Sequence, residues 1–535
     1  MTDRRLRYWY VALGAVLLLA LVLRLRGIHS PLLDHPGWRQ GDTAAIARNF
    51  ATLDFNPLHP QTDYNGPPPN YVELELQIVP YLAAILYKIF GVHEVFGRLI
   101  SIAFSLGTVA TLAFFARALY ASGAAGIAAA FGFAVYPGSV YYGRTFMPDT
   151  AMTFFLTAAL FAAWRWLGDD VPAERFGRRF LAAALLTACA LLAKPVAAVA
   201  LVPVAVLLVV RRSARGALRS PDTYAFFAVA LVPYLLYDAY VRSIAEWHWA
   251  SGITTLHVLP ALKASFGSLA ALRHKFSLFR AALGMLATTM LGPVGGVAFV
   301  LGIAALVPPQ RRFRSLRPLL WAWLAAALAY AYVVVTVERV DYYLYPFLPL
   351  AALWSAALVP LLAERYGAVR AAAKPLVAGA YAVLAVATFV ASIAAARAEV
   401  APYYAYSKSV YRTAKALDAT LAPDALVVMG HYDPSVLYYI GRKGWEEDPY
   451  LWTPFDEESA IRKGARYFIA IEPRRLRRNV ELYAWLQRFP LANSAAKWPV
   501  YETDVAKTLP GAEERWQDFR RRERSHQLPT LPVNL

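Results

Sequence analysis

The chain has 535 residues, 58% of them hydrophobic and 17% charged, with a formal net charge of +18. A soluble globular protein sits nearer half apolar and a quarter charged, so this composition excludes an ordinary water-soluble fold and makes lipid the solvent of much of the surface. The positive charge falls in short Arg/Lys bursts between apolar runs, not along one amphipathic face. That pattern excludes a nucleic-acid-binding surface and fits the enrichment of basic residues in the cytoplasmic loops of a membrane protein.

At the N-terminus, Arg4, Arg5 and Arg7 precede "YWYVALGAVLLLALVL". A basic start, an apolar core and no small-x-small cleavage site predict an uncleaved signal-anchor with its N-terminus in the cytoplasm. A polar segment, 27–94, follows. It carries "HPGWRQGDTAAIARNF" (35–50) and then "NPLHPQTDYNGPPPNY", whose prolines and Asn-Gly forbid a continuous helix. "LQIVPYLAAILYKIF" (76–90) is short for a span and is predicted to lie on the membrane as an interfacial helix.

Further spans are predicted at 96–116, 124–140 and 150–166, with two shorter ones meeting at Lys194-Pro195. Others follow at 222–241, 281–306, 318–336, 342–363 and 375–395, giving about eleven transmembrane helices. With the interfacial helix setting the parity, "WRWLGDDVPAERFGRR", "RRSARGALR", "QRRFRSLR" and "ERYGAVRAAAK" face the cytoplasm, and "SIAEWHWASGITTLHVLPALKASF" lies outside. Arg24 and Arg26, at the outer end of the first span, are the exceptions to this charge bias. The single cysteine, Cys189, lies inside an apolar run, so neither an internal disulfide nor a Cys-built metal cluster is available.

From about 396 the pattern changes. "SKSVYRTAKALDATL" and "RNVELYAWLQRF" have helical periodicity, while "ALVVMG" and "ARYFIAIEP" read as buried strands. The prediction is a transmembrane domain over 1–395 followed by a C-terminal soluble α/β domain over 396–535, outside the membrane by the same parity. In "GHYDPS" (430–435), Asp433 is read as the cap of the next helix and not as a metal ligand.

On this topology the outer surface gathers Asp34, Arg39, Asp42 and Arg48 in the first loop and Glu73 and Glu75 before the interfacial helix. Arg144, Asp149, Lys194, Asp238, Glu338, Arg339 and Asp341 join them from later in the chain. A charge at membrane depth costs on the order of 2.5–3.5 kcal/mol or more, so one kept there has a partner or a function. Carboxylates mixed with fixed cations suit group transfer from a phosphate. The carboxylate takes a proton from an attacking hydroxyl while Arg or Lys stabilises the departing phosphate.

"DTAAIARNF", "YVELELQIVPYLAAILYKIFGVHEVFGRL", "YPGSVYYGRTFMPDTAMTF", "LLAKPVA" and "VDYYLYPFLPL" occur in that order over roughly 10–365. In sequence and spacing the chain resembles the GT-C superfamily of membrane glycosyltransferases. Within it, the likeness is to the branch of protein O-mannosyltransferases and lipid A aminoarabinose transferases. The resemblance implies a GT-C-like polytopic α-helical membrane protein that transfers sugar from a polyprenyl-phosphate donor by an inverting displacement. An acid of the first outer loop would serve as the base. Family members carry an Asp-Glu pair about nine residues before the "IAR" segment, but here that position is Arg39. Two acids therefore stay open as the base. Asp42 is favoured, because it opens the amphipathic stretch as a helix cap, and Asp34 is the alternative.

The resemblance further points to Lys194, Arg144, Asp149, Arg339, Arg39 and Glu75 as contacts of the donor phosphate or sugar. Some relatives place metal ligands here. No His/Asp/Glu pattern in this chain has ligand spacing, so no metal residue is assigned and a divalent ion stays open. The expected partners are the lipid-linked sugar, an acceptor glycan, lipid or protein, and membrane lipid, without nucleic acid. The expected location is the bacterial inner membrane, with the site facing the periplasm. A transporter or flippase of lipid-linked glycans is the rival reading, since buried charges and broken spans also suit a substrate pathway.

Overall fold

In a computed structural model the described residues are 3–168, 175–245, 252–307, 315–492 and 497–525. Parts of three loops quoted above, 169–174, 246–251 and 310–314, lie outside them. The chain packs as two compact units. The first comprises Met1–His29, Asn56–Leu58 and Glu73–Ala405, and the second Ser30–Phe55, His59–Val72 and Tyr406–Leu535.

The first unit is helical because its apolar runs can satisfy their backbone groups only internally. Among the described residues, seven helices are long and apolar enough to cross a membrane. They are Arg4–Arg24, Glu94–Tyr120, Pro195–Arg212, Pro221–Ile244, Arg317–Glu338, Phe347–Gly367 and Ala371–Tyr404. An eighth is available if Leu269–Met290 and Gly292–Leu306, bent by 118°, count as one span. The runs read at 150–166 and before Lys194 form the helices Asp149–Trp166 and Arg178–Ala193, which are less apolar or shorter than these seven, and two other runs are broken. The run at 124–140 stops at Val135, and Pro137 starts a new short helix that ends at Tyr142. The run at 281–306 turns at Gly292, whose φ of +71 favours a residue without Cβ. A Cβ there would also meet the Pro137 ring at 3.0 Å. Ile78–Phe90 has 13 residues, about 20 Å of helix against a hydrocarbon core of about 30 Å, and buries one face through Val79, Pro80, Ala83, Ala84 and Tyr87.

Arg24, one exception to the charge bias, is fully buried at the end of the helix Asp3–Arg24. Its Nε donates to Ser105 Oγ at 2.8 Å and its Nη2 to Ser139 Oγ at 2.7 Å. Its Nη1 donates to the Ala20 and Ala134 carbonyls at 3.0 and 3.1 Å. This guanidinium holds helices together, and these bonds are what make a buried cation tolerable in an apolar interior.

The second unit holds a sheet of four strands among the described residues: β1 (Leu426–Met429), β2 (Lys443–Glu446), β3 (Ala465–Ile469) and β4 (Val500–Glu502). The order is β2-β1-β3-β4, with β1 parallel to both neighbours and β4 antiparallel to β3. Phe468, Leu482, Trp485 and Leu486 build its buried core. Asp433 caps the helix Pro434–Ile440 between β1 and β2, accepting from Ser435 N at 2.9 Å, as the sequence predicts.

Most of the polar segment after the first span packs in this unit, whereas the sequence reading groups it with the membrane domain. The helix Gly37–Thr52 lies against Pro434–Ile440 so closely that a Cβ on Gly41 would sit 2.4 Å from Ser435 Cα. Gly66 forms an antiparallel bridge with Gly444, extending the β2 edge. A buried network closes the join: Asp63 accepts from Arg48, from Lys443 at 2.5 Å and from Asn49 at 3.1 Å.

Candidate functional site

In the first unit the non-helical stretch at Glu73–Glu75 lies beside the break between the helices Arg178–Ala193 and Leu201–Arg212. The Leu76 amide donates to the Leu192 carbonyl at 2.9 Å, and Tyr237 Oη to the Glu75 carbonyl at 3.3 Å. This packing leaves a cavity of about 390 Å³. Its wall is largely apolar, with Val196, Val199, Val258, Leu259, Val333 and Val334, and Lys194 reaches its lining. Lys194 is there because Pro195 ends the preceding helix, putting the lysine in extended backbone at φ −169.

The Lys194 ammonium is nearly buried, 2.7 Å from Asp149 Oδ1, and lies 5.1 and 5.0 Å over the rings of Tyr342 and Tyr343. Asp149 Oδ2 is buried without a hydrogen-bond partner among the described residues. Another charged cluster lines the cavity, where Arg242 pairs with Glu73 and Asp238, each at 2.9 Å. Glu75, also in the lining, is buried.

The remaining predicted contacts of the first unit lie elsewhere. Arg144 is fully buried, donates to the Gly27 carbonyl at 3.3 Å and sits over the rings of Tyr141 and Tyr404. Arg339 follows the helix Thr336–Glu338 in left-handed backbone, φ +51, and is exposed. Neither residue lines the cavity. Asp341 accepts hydrogen bonds from Tyr142 at 2.6 Å and from Tyr403.

The first-loop acids belong to the second unit. Asp42 is not a helix cap: the helix starts at Gly37, after Pro36, and Asp42 lies one turn inside it. It is 4% exposed, and its Oδ1 has no hydrogen-bond partner among the described residues. Burial pushes its carboxyl up to about 7, with Arg39 one turn earlier and the Tyr64 hydroxyl opposing the rise and Asp433 and Asp63 adding to it. A buried acid balanced near neutrality is suited to exchange a proton with a substrate. Asp34 is fully buried and accepts from Gln40 Nε2 at 2.8 Å. Arg39, read from sequence as a donor contact, acts within this unit as a counter-charge to Asp42. Arg48 is committed to Asp63 and to the Tyr438 carbonyl at 3.1 Å. Burial raises Asp63, but Arg48 and Lys443 beside it leave its carboxyl below the usual range.

Tyr64, Lys443, Arg242 and the tyrosines over Lys194 escape the sequence reading. Tyr64 lies in the quoted "NPLHPQTDYNGPPPNY", and Tyr342 and Tyr343 in "VDYYLYPFLPL". Among the described residues no group of three or more His, Cys, Asp or Glu side chains could hold a metal ion.

Residues 77–237 match the family described as dolichyl-phosphate-mannose-protein mannosyltransferase. No curated protein matches the chain by sequence. In fold it is similar to ArnT from Cupriavidus metallidurans bound to undecaprenyl phosphate, with a TM-score of 0.63 and 13% identity, over 94% of this chain and 99% of that one. It is also similar to the apo oligosaccharyltransferase of Archaeoglobus fulgidus, with a TM-score of 0.62 and 13% identity, over 95% of this chain and 76% of that one. The same organism's AglB in complex with an inhibitory peptide and a dolichol-phosphate gives 0.58 at 14% identity, over 95% and 76% of the two chains.

Proposed function

We propose that this chain, a multi-pass membrane protein with the fold of the GT-C glycosyltransferases, is an inverting glycosyltransferase. It moves a sugar from a polyprenyl-phosphate-linked donor to an acceptor hydroxyl or amine on the outer face of the bacterial inner membrane. The observation that carries this reading is the cavity whose apolar wall leads to the nearly buried Lys194 ammonium, paired to Asp149. An isoprenoid tail fits the wall, and a phosphate is the group an ammonium in that setting attracts. The solved similar structures bound to undecaprenyl phosphate and to a dolichol-phosphate support the same donor class.

In this mechanism Asp42, ionised, takes the proton of the acceptor hydroxyl as its oxygen bonds to the anomeric carbon. The bond from that carbon to the phosphate oxygen breaks, its electron pair stays on the phosphate, and the Lys194 ammonium stabilises the charge that gathers there. Attack opposite the leaving group inverts the anomeric centre. Glu75 contacts the donor sugar from the lining. Asp34 sets the loop of the base through Gln40, and Arg39 holds Asp42 toward its ionised form.

Purified protein in liposomes, given a panel of labelled polyprenyl-phosphate sugars and acceptors from membrane extract, tests the reading. Labelled sugar in an acceptor product, with its anomeric configuration inverted, is the expected result. Labelled lipid crossing the bilayer unchanged, with no product, would replace the transferase with a flippase.

A further inference from the structure

Arg26 is the one cation of the first span's outer end that helix packing does not absorb. Arg24 is buried among helix carbonyls and serines, whereas Arg26 is exposed. Its guanidinium lies 4.2 Å over the Tyr404 ring and donates from Nη1 to the Arg397 carbonyl at 3.3 Å. Arg397, also exposed, stands at the C-terminal end of the helix Lys374–Ala398. Among the described residues no carboxylate pairs with either arginine.

The two arginines and Tyr404 line one cavity of about 260 Å³, whose other walls are Leu19, Val22, Leu23, Val140, Ile393 and Ala396. Leu19, Val22 and Leu23 come from one membrane-spanning helix, and Ile393 and Ala396 from another. The site is therefore an apolar groove between two spans, with two unneutralised cations meeting where both helices end. On the topology read from the sequence this is the outer end, where the usual charge bias disfavours arginine. Two guanidiniums without a counter-ion repel each other. Each also presents a planar fork matched to phosphate oxygens, and the Tyr404 ring holds one of them in place.

We propose that this groove binds an anionic phospholipid, its phosphate on Arg26 and Arg397 and one acyl chain along Leu19, Val22 and Ile393. The occupant is a structural lipid of the surrounding bilayer, separate from the sugar donor of the Lys194 cavity.

The test is the thermal midpoint of the full-length protein in neutral detergent, titrated with phosphatidylglycerol, phosphatidylcholine, undecaprenyl phosphate or inorganic phosphate. Phosphatidylglycerol is expected to raise the midpoint saturably, at roughly one-tenth of the phosphatidylcholine concentration that gives an equal rise, a difference of the size a charge-assisted contact provides. Inorganic phosphate alone is expected to do nothing. In the Arg26→Gln/Arg397→Gln double variant the preference for phosphatidylglycerol should vanish. Val22→Trp, which fills the groove and keeps both arginines, should weaken it. An undiminished preference in the double variant would overturn the proposal. So would a midpoint raised by inorganic phosphate, or one raised by undecaprenyl phosphate and not by phosphatidylglycerol. Should the double variant fail to fold, native mass spectrometry of wild type in an equimolar mixture of the two phospholipids decides: retained phosphatidylglycerol supports the site, and equal retention refutes it.

Discussion

The Lys194 ammonium stands 2.7 Å from one oxygen of Asp149, and the other oxygen of that carboxylate is buried with no hydrogen-bond partner among the described residues. A pair this deep is held by mutual attraction against a desolvation cost, so its partners are not separable. Lys194→Met strands an uncompensated carboxylate and is expected to destabilise the protein by about 3–5 kcal/mol. The Lys194→Met/Asp149→Leu double variant should recover most of that loss in thermal unfolding and still fail to transfer sugar. Transfer restored along with stability would show that Lys194 has no role with the donor.

Asp42 links stability to pH. Its carboxyl is raised by burial from an ordinary value of 3.8 to about 7. Between these values the unfolded chain gives up a proton that the native chain retains, so native stability is expected to fall as pH rises from about 4 to about 7 and then to level off. Asp42→Asn carries no such penalty and should be more stable than wild type above pH 7, by up to a few kcal/mol at about 1.4 kcal/mol per pKa unit. Thermal midpoints of both proteins at pH 5 and pH 8 measure the difference. A wild type that gains stability over that range relative to the variant would contradict the buried-acid assignment.

Tyr64 donates a hydrogen bond that lowers the Asp42 carboxyl. Removing it with Tyr64→Phe should raise that carboxyl further and move the ascending limb of the pH–rate profile to higher pH, leaving the high-pH plateau within about tenfold of wild type. An unchanged limb, with activity lost uniformly, would mean that Tyr64 only packs.

Gly41 tests how the first loop is seated. An alanine Cβ at that position would lie 2.4 Å from Ser435 Cα, a backbone atom that cannot rotate away. Gly41→Ala is expected to cost about 1–3 kcal/mol by overpacking and to weaken the seating of the helix Gly37–Thr52 against Pro434–Ile440. Limited proteolysis of the 30–72 segment should accelerate, and no change in cleavage would show that the contact is dispensable.

What can be read without the structure follows from the range of each signal. Lys194 is legible because Lys-Pro interrupts two apolar runs, a local pattern with a local cause. Asp433 is legible for the same reason, since a cap is settled within its own turn. Asp42 reads as a cap in sequence, but Pro36 starts the helix earlier and carries the acid into its interior. The seating of the first loop is hidden because it rests on pairs such as Asp63 with Lys443, 380 positions apart, which no local pattern encodes. The bend inside the run at 281–306 is hidden because hydropathy does not register a turn such as the one at Gly292.

Asp42 is the proposed base, acting apart from donor binding. The most direct measurement follows sugar transfer and binding of the lipid-linked donor in parallel for wild type, Asp42→Asn and Asp34→Asn. Asp42→Asn is expected to lose transfer by about 10²–10⁴-fold, the usual contribution of a general base, with donor affinity unchanged. Asp34→Asn is expected to keep measurable transfer. Full transfer by Asp42→Asn, with loss confined to Asp34→Asn, would contradict the assignment and move the base to Asp34.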